Sequence, residues 1–306
     1  MKYFDWHGNR IFPICLGTVQ LGLNYGIANR FGQPNMKSSR EIIASAWEGG
    51  INCFDTAQAY GNSEEVLGAA LEELAITEQA LLISKIDPQI DPSDPDGIKQ
   101  SVEASCRKLR ISQLFGMMLH RATWLDHWDR GLGETLRNCM GEGKIRHLGV
   151  SICSVAEAKR ALANPDISMI QLPANAWDQR MHEAGIFAQA QAAGKICFIR
   201  SIYLQGLLTL AVSEVKEKLP LACELAQLWQ MLANKMSCTP VELAFRYALS
   251  LDSPLVIGAE NIEQVRQNLQ LAELEPLTAF QLQTVKAELS GHVNENILNP
   301  SNWNVS

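Results

Sequence analysis

One strand–helix unit is visible in residues 50–71, GINCFDTAQAYGNSEEVLGAAL. The apolar run INCF is typical of a short buried strand, and the apolar residues of SEEVLGAAL recur at the spacing of one helix face. A strand followed by a helix is the repeating unit of α/β proteins. The fold therefore depends on how many such units the chain contains.

The chain contains eight apolar runs, each followed by a segment of helical period, and one of those helices is predicted at residues 127–143. The runs are IFPICLGTVQL (11–21), INCFDTAQAY (51–60), ALLISKID (80–87), LFGMMLH (114–120), RHLGVS (146–151), SMIQLPA (168–174), KICFIRS (195–201) and PLVIGA (254–259). Since the runs are apolar throughout instead of alternating, both faces of each strand are predicted to be buried. Eight units favour a closed (β/α)8 TIM barrel over an open doubly wound sheet.

The two ends of the chain differ from this repeat. Residues 2–6 and 10–12 flank His7-Gly8-Asn9, which predicts an N-terminal β-hairpin at the bottom of the barrel. Residues 292–306 are polar and contain several Asn, and they are predicted to be irregular. No linker interrupts the series, so residues 1–306 are predicted to form a single α/β barrel domain.

Composition and charge exclude several classes of protein. The 306 residues include 26 Lys and Arg against 33 Asp and Glu, a formal net charge of −7. Nucleic-acid binding is not expected, because no cluster of basic residues is present. Membrane insertion is not expected, because no apolar stretch approaches about 20 residues. The N-terminal sequence lacks the apolar centre of a signal peptide, so we expect a cytoplasmic protein that is a monomer or a weak homo-oligomer.

The eight cysteines are scattered along the chain, mostly among apolar neighbours, and show no Cys-x-x-Cys spacing. We expect them to be reduced and to serve as small buried hydrophobic residues. A disulfide framework or a zinc site is not predicted.

Four polar side chains stand at the ends of adjacent predicted strands, where the chemistry of a barrel lies. Asp55 ends the second run and Tyr60 follows it, while Lys85 and His120 end the third and fourth runs. Taken singly, three of these residues also have a structural explanation. Asp55 fits a residue that caps the following loop, Tyr60 fits an aromatic residue in a turn, and His120 fits a histidine buried in the core. Lys85 follows a fully apolar run and needs a carboxylate partner if it is buried, and Asp55 is the candidate.

Together the four residues make a proton-donating site. A free phenol is a weak acid at neutral pH, and a nearby ammonium such as Lys85 stabilises its phenolate. Asp55 would hold Lys85 charged, and a neutral His120 would hydrogen-bond a substrate carbonyl. No nucleophile with a base and no metal cluster accompanies them, so the electrons must come from a cofactor.

These residues also carry a resemblance to a known family. GINCFDTAQAYGNSEEVLGAAL resembles the Asp and Tyr signature of the aldo-keto reductases, here of bacterial type, and LLISK, MMLH and GKIRHLGVS resemble its later segments. The resemblance runs from Leu16 to Asn268 and implies hydride transfer from a nicotinamide cofactor to an aldehyde or ketone, including a sugar-derived one. It also implies a catalytic tetrad of Asp55, Tyr60, Lys85 and His120, with Tyr60 as the general acid.

The resemblance implies a cofactor site along the same strand ends. Ser151 and Gln171 would contact the nicotinamide amide, and the segment with Ser201, Leu204 and Gln205 would line the pyrophosphate. The adenosine end would lie between Gly258 and Asn268. The complete set of expected cofactor-binding residues is Gly17, Thr18, Ser151, Gln171, Arg200, Ser201, Leu204, Gln205, Gly258, Glu260, Gln264 and Asn268.

Two positions depart from the family pattern. Ile152 stands where the family usually has Asn, and Glu260 stands where members that bind a 2′-phosphate typically have Lys or Arg. NADP(H) is the cofactor that the resemblance implies. Glu260 argues for NAD(H), because a carboxylate repels a phosphate by about 1 kcal/mol or more and accepts hydrogen bonds from a ribose hydroxyl. Alternatively, Glu260 points to solvent at a helix start.

Substrate specificity would come from the strand-to-helix loops. The expected substrate residues are Asn24 and Tyr25 after the first strand, Trp124 after the fourth, and Trp303 near the C-terminus. The loops are predicted to be short, which suggests an open site for a polar aldehyde or keto-sugar. Two alternatives stay open: a Schiff-base lyase that uses Lys85, and a non-catalytic regulatory subunit that keeps only the cofactor cleft.

Overall fold

Eight parallel strands close into a barrel in the computed structural model, which describes residues 3–303. A two-stranded antiparallel hairpin precedes them. The strands are β1 (Phe4–Trp6) and β2 (Asn9–Ile11) of the hairpin, then β3 (Ile14–Gly17), β4 (Cys53–Asp55), β5 (Leu81–Ile86), β6 (Leu114–Leu119), β7 (Ile145–Ser151), β8 (Ile167–Pro173), β9 (Ile196–Arg200) and β10 (Leu255–Gly258). The predicted (β/α)8 barrel is confirmed, since β3 to β10 pair in chain order and β10 pairs with β3.

Helices surround the barrel and connect its strands. They are α1 (Val19–Gly22), α2 (Met36–Glu48), α3 (Ser63–Glu73), α4 (Pro95–Leu109), α5 (Leu132–Gly141), α6 (Val155–Ala163), α7 (Arg180–Glu183), α8 (Ile186–Ala192), α9 (Val212–Lys218), α10 (Cys223–Lys235), α11 (Pro240–Leu249), α12 (Ile262–Leu271), α13 (Ala279–Leu289) and α14 (Glu295–Leu298). Their apolar faces pack on the outer face of the strands in one large hydrophobic cluster. Within the described residues, no helix has both the length and the apolar character needed to span a membrane.

The lower part of the barrel interior is filled by apolar side chains. Inward side chains such as Cys53, Ile83, Met118 and Phe198 form a separate apolar cluster. Side chains alternate along a strand, so two residues further on β4 and β5 point inward one layer higher. Those positions are Asp55 and Lys85, and the apolar layer beneath them separates the polar layer from the bottom of the barrel.

The N-terminal hairpin lies at the bottom of the barrel, as predicted. Trp6 in β1 packs against His147 with ring centroids 4.5 Å apart and against Phe115 with centroids 6.3 Å apart. Both partners lie in the N-terminal halves of their strands. Burial, together with the neighbouring His7 and Arg146, lowers the pKa of His147 to about 4.

Three local expectations need correction. The helix expected at residues 127–143 is split at Gly131, whose φ of 114° separates a 3-10 helix (Ala122–Arg130) from α5. The tail contains α14, because the Asn294 side chain accepts a hydrogen bond from the Ile297 backbone and caps that helix; residues 1, 2 and 304–306 lie outside the described residues. All eight cysteines are free, but Cys153 is exposed.

Candidate active site

A buried ion pair joins the ends of two neighbouring strands. The Lys85 Nζ atom in β5 lies 2.7 Å from each carboxylate oxygen of Asp55 at the end of β4. Lys85 is 1% exposed and Asp55 is 3% exposed, so water screens this pair little. Burial disfavours the ammonium, but Asp55 and Tyr60 together outweigh it, so the pKa of Lys85 is raised. The ammonium is therefore the stable form at neutral pH.

Tyr60 and His120 stand above this pair. Lys85 Nζ also donates to the Thr56 carbonyl at 3.0 Å and lies 3.4 Å from the Tyr60 hydroxyl. The rings of Tyr60 and His120 pack edge to face with centroids 5.9 Å apart. The structure therefore brings together all four residues that the sequence predicted at the strand ends.

His120 is held in its neutral form. Burial, together with the positive charges of Lys85, Arg200 and Arg121, lowers its pKa to about 4. Its Nδ1 atom is buried and has no hydrogen-bond partner among residues 3–303. A neutral imidazole has one ring nitrogen that donates a hydrogen bond and one that accepts. His120 can therefore hydrogen-bond a ligand in the cavity beside the Tyr60 phenol.

The backbone around Tyr60 is fixed by close packing of α1. The Tyr60 carbonyl accepts a hydrogen bond from the Ser63 backbone at 3.0 Å at the start of α3. A Cβ atom on Gly22 would lie 1.9 Å from that carbonyl oxygen, so only glycine permits the approach. The Thr18 hydroxyl donates to the Asp55 carbonyl at 3.0 Å and ties β3 to β4. The turn that carries Tyr60 is therefore anchored on both neighbouring strands.

A cavity of about 840 Å³ opens above these residues at the C-terminal ends of the strands. Such a volume is in the range of small-molecule and cofactor sites. Eleven of the twelve residues expected to bind a cofactor line it, namely Gly17, Thr18, Ser151, Gln171, Arg200, Ser201, Gln205, Gly258, Glu260, Gln264 and Asn268. The exception is Leu204, whose side chain is 2% exposed and belongs to the hydrophobic core.

The segment after β9 has an unusual backbone. Ser201, Leu204 and Gln205 have φ angles of 61°, 48° and 55°, in the left-handed region, and Gly206 follows at 93°. The backbone N–H groups of Leu204 and Gly206 donate to the carbonyls of Ser201 and Tyr203, so these two donors are not available to an anion. Ser201 and Gln205 line the cavity and are the residues of this segment that can contact a pyrophosphate.

Gln171 is already engaged with the ion pair. Its Nε2 atom donates to Asp55 Oδ1 at 2.7 Å, and the side chain is 1% exposed. The oxygen Oε1 is the part of this amide left for a ligand. Gln171 thus links a ligand in the cavity to the Asp55–Lys85 pair.

Glu260 faces the cavity rather than solvent. It lines the cavity after β10, and burial raises its pKa, while the backbone of Arg30 and the Gln264 side chain oppose the rise. Gln264 Oε1 accepts a hydrogen bond from the Glu260 backbone at 2.8 Å. No Lys or Arg pairs with the Glu260 carboxylate within the described part of the chain.

Only one of the four expected substrate residues lines the cavity. Tyr25 does so, with 36% of its surface exposed. Trp124 is 5% exposed and packs in the hydrophobic core, because the 3-10 helix turns it inward. Trp303 packs on the core and donates to the carbonyls of Asn296 and Ile297. Asn24 is exposed outside the cavity lining.

The cavity also has a wall that sequence reasoning missed. The residues after α1, from 23 to 35, form a long loop, so the expectation of short loops was wrong there. Arg30 forms an ion pair with Glu214, and Lys218 Nζ donates to the Ile27 carbonyl at 2.8 Å. These contacts join the loop to the segment after β9. Additional lining residues are Gln20, Arg30, Phe31, Arg121, Cys153 and Tyr203. Arg121 could have been predicted from the sequence, because it follows His120 directly. The other residues reach the cavity through contacts with residues that are distant in sequence.

Comparisons with known proteins find similar sequences along most of the chain. The family model described as aldo/keto reductase family matches residues 13–289. An uncharacterized oxidoreductase of Mycobacterium tuberculosis is 27% identical over 301 residues, covering 90% of this chain and 89% of the relative. The uncharacterized oxidoreductase YqkF of Bacillus subtilis is 26% identical over 294 residues, covering 89% of this chain and 94% of the relative.

Solved structures show the same fold. A glycerol dehydrogenase from Gluconobacter oxydans matches with a TM-score of 0.73 at 23% identity, covering 98% of this chain and 96% of that chain. An aldo-keto reductase from Bacillus halodurans in its holo form matches with a TM-score of 0.75 at 24% identity, covering 98% and 100%. The likeness to both is one of fold.

Proposed function

The chain belongs to the aldo/keto reductase family of oxidoreductases, and on that premise we propose that it reduces an aldehyde or ketone to an alcohol with a nicotinamide cofactor, Tyr60 being the general acid. The observation that carries the proposal is the position of Lys85 Nζ, 2.7 Å from the Asp55 carboxylate and 3.4 Å from the Tyr60 hydroxyl. An ammonium held there stabilises the phenolate that remains after proton transfer.

The four residues divide the work of proton transfer. Tyr60 gives its hydroxyl proton to the carbonyl oxygen of the substrate as negative charge develops on that oxygen. Asp55 keeps Lys85 charged, and Lys85 stabilises the tyrosinate. His120, neutral because its pKa is lowered to about 4, donates an N–H hydrogen bond that orients the carbonyl towards Tyr60.

The cavity suits a dinucleotide cofactor, which would supply the hydride when bound. Ser151 and the free oxygen of Gln171 would hold the carboxamide of the nicotinamide. The segment after β9, where Ser201 and Gln205 line the cavity, would hold the pyrophosphate. The Gly258–Asn268 segment would hold the adenosine end. The buried Gln20 Oε1 atom, which lines the same cavity without a partner among residues 3–303, supports a polar ligand there.

The nature of the adenosine end bears on the choice of cofactor. Family resemblance favours NADP(H), whereas Glu260 favours NAD(H), because its carboxylate is half-buried in the cavity lining and no cation pairs with it in the part of the chain described. Repulsion between this carboxylate and a 2′-phosphate is weakly screened at such a site. We therefore propose that the enzyme uses NAD(H) at least as well as NADP(H).

The alternative of a Schiff-base lyase has less support. A Schiff base needs a neutral amine that reaches the substrate, but Lys85 is 1% exposed and its pKa is raised by Asp55. Its ammonium protons are committed to Asp55, Thr56 and Tyr60. Treatment with borohydride and an aldehyde is expected to leave Lys85 unmodified.

Cofactor binding is the first experiment. We expect NADH and NADPH, titrated separately, to quench tryptophan fluorescence, and the loaded enzyme to reduce members of a panel of aldehydes and ketones. Binding of neither nucleotide would overturn the proposal. Tight binding with no turnover across the panel would instead support the regulatory alternative.

A further inference from the structure

The catalytic end of the cavity carries two arginines that have no carboxylate partner among the residues that the structure describes. Arg200 at the end of β9 and Arg121 after β6 both line the cavity. Across residues 3–303, neither side chain takes part in an ion pair, whereas Arg30 on the same lining is paired with Glu214. Acidic residues outnumber basic ones in this chain, whose formal net charge is −7. A shortage of carboxylates therefore does not explain why these two guanidinium groups are unpaired.

Arg200 is held in a fixed position. Its Nη2 atom donates to the Ile152 carbonyl at 3.1 Å and to Cys153 Sγ at 3.2 Å, and Nη1 lies 3.4 Å from Ser201 Oγ. The side chain therefore reaches from the end of β9 to the end of β7. These contacts leave the Nε hydrogen and one Nη1 hydrogen of a five-donor group without a partner. A half-buried guanidinium with free donors is typical of a site for a carboxylate or a phosphate.

Other charges in the cavity do not compensate these arginines. Asp55 is paired with Lys85. Glu260 follows β10, the neighbour of β9 and Arg200, but no ion pair joins the Glu260 carboxylate to either arginine within residues 3–303. Both arginines are close enough to His120 to lower its pKa, after burial and Lys85, and Asp87 opposes them. Arg200 and Arg121 therefore add positive charge near the place where the substrate carbonyl would be held.

We propose that Arg200 and Arg121 bind an anionic group of the substrate, so that the preferred substrates are aldehydes or ketones that carry a carboxylate or a phosphate. This inference rests on the proposed function, because it concerns the substrate of the same site. It assigns Arg200 to the substrate instead of the cofactor.

The test compares carbonyl compounds that differ in charge and little in size. The first pair is 4-carboxybenzaldehyde and 4-carbamoylbenzaldehyde, and the second is glyceraldehyde 3-phosphate and glyceraldehyde. We expect kcat/KM to be at least about tenfold higher for the anion of one pair, mainly through a lower KM. The pair with the larger ratio identifies the anion as carboxylate or phosphate. Equal kcat/KM within both pairs would overturn the inference and leave the proposed function standing.

Variants separate substrate binding from cofactor binding. Arg200→Gln and Arg121→Gln are each expected to reduce the ratio of kcat/KM for the anionic member to kcat/KM for the neutral member, with unchanged Kd for the cofactor. The matched control is Arg146→Gln, at the opposite end of β7, where Arg146 contacts Asn9. A weaker cofactor Kd in Arg200→Gln, with the preference for the anion retained, would place Arg200 in the cofactor site and overturn the assignment.

A binding measurement gives a result even without turnover. In calorimetry with the oxidised cofactor present, we expect 4-(hydroxymethyl)benzoate to bind at least about tenfold more tightly than 4-(hydroxymethyl)benzamide. If no aldehyde is reduced but this difference is found, the proposed function fails and the anion site stands. If the two alcohols bind equally, and the phosphate of glycerol 3-phosphate adds nothing to the binding of glycerol, the anion site is absent.

Discussion

Lys85 is charged although it is buried, and this depends on Asp55. A buried ion pair is costly to form, and removal of one partner leaves an uncompensated charge. The pair therefore contributes to catalysis through the charge beside Tyr60, and it is a point at which a single substitution affects both activity and stability.

The first prediction concerns this pair. Asp55→Asn is expected to lower the free energy of unfolding by about 3–5 kcal/mol, because Lys85 is left buried without a carboxylate. The double variant Asp55→Asn with Lys85→Met is expected to recover most of that loss. Urea denaturation measures both. The control is Lys235→Met, which breaks the exposed pair with Glu288 and should cost less than about 1 kcal/mol. An Asp55→Asn variant as stable as the unmodified protein would contradict the account.

A second prediction tests the cofactor preference at Glu260. Glu260→Lys is expected to shift the ratio of the Kd values for NADH and NADPH at least about tenfold towards NADPH, because a repulsive charge is replaced by an attractive one. Glu263→Lys is the matched control, since Glu263 lies three residues after Glu260, in the first turn of α12, but pairs with Arg266 outside the cavity lining. An equal shift in both variants would mean that net charge, not the position of Glu260, sets the preference.

At the scale of elements, the short helix α1 positions the turn that carries Tyr60. Its close approach depends on Gly22, whose missing side chain makes room for the Tyr60 carbonyl. The contact joins an element after β3 to an element after β4, so the geometry of the general acid depends on packing between two neighbouring strand-to-helix loops.

Gly22→Ala tests this packing. The added methyl group would meet backbone atoms of Tyr60 and Ser63, so we expect a loss of about 1–3 kcal/mol in stability and a fall of at least about tenfold in kcat, with cofactor binding retained. Gly141→Ala is the control, because a Cβ at the end of α5 meets nothing within 4 Å. Unchanged kcat in Gly22→Ala would show that α1 does not set the position of Tyr60.

Elements were predicted well where the signal is local. Each barrel strand is a continuous apolar run, and Asp55, Lys85 and His120 are polar residues at or near the ends of such runs. The prediction for Trp124 was wrong, because an aromatic residue after a strand gives the same sequence pattern whether its side chain faces a cavity or the core. The wall formed by residues 23–35 depends on contacts with Glu214 and Lys218, which lie far away in sequence.

At the scale of the whole molecule, stability is expected to depend on two neutral histidines at opposite ends of the barrel. His120 at the top and His147 at the bottom each have a pKa lowered to about 4, mainly by burial. In the unfolded chain each titrates near 6.5. The unfolded state therefore binds more protons between these values, and the folded state loses stability as pH falls.

The pH prediction follows with its sign. The free energy of unfolding is expected to be constant above about pH 6.5 as far as these residues are concerned, and to fall by at most about 3 kcal/mol per histidine as pH falls to about 4. Urea denaturation at several pH values measures it. His147→Gln is expected to remove about half of the fall without affecting the active site. A variant with the same pH profile as the unmodified protein would contradict this explanation.

The closed barrel, its hairpin and the grouping of the four polar residues were all predictable, because eight repeated units admit few arrangements and parallel strands end at one rim. The partners of Arg200 and the inward position of Glu260 were not. Both depend on the direction in which side chains point across the rim of the barrel, and the sequence pattern does not predict that direction.

The central claim is that hydride transfer to a carbonyl is completed by a proton from Tyr60. The most direct test incubates the protein with an aldehyde and nicotinamide cofactor deuterated at C4 of the ring, and then measures deuterium in the alcohol by mass spectrometry. We expect one deuterium on the former carbonyl carbon, and a rate about 10²–10⁴ lower in Tyr60→Phe with cofactor binding retained. As a control, Tyr247→Phe removes a buried hydroxyl that has no partner within residues 3–303, and it should keep the rate. Alcohol without deuterium, or an unchanged rate in Tyr60→Phe, would contradict the account.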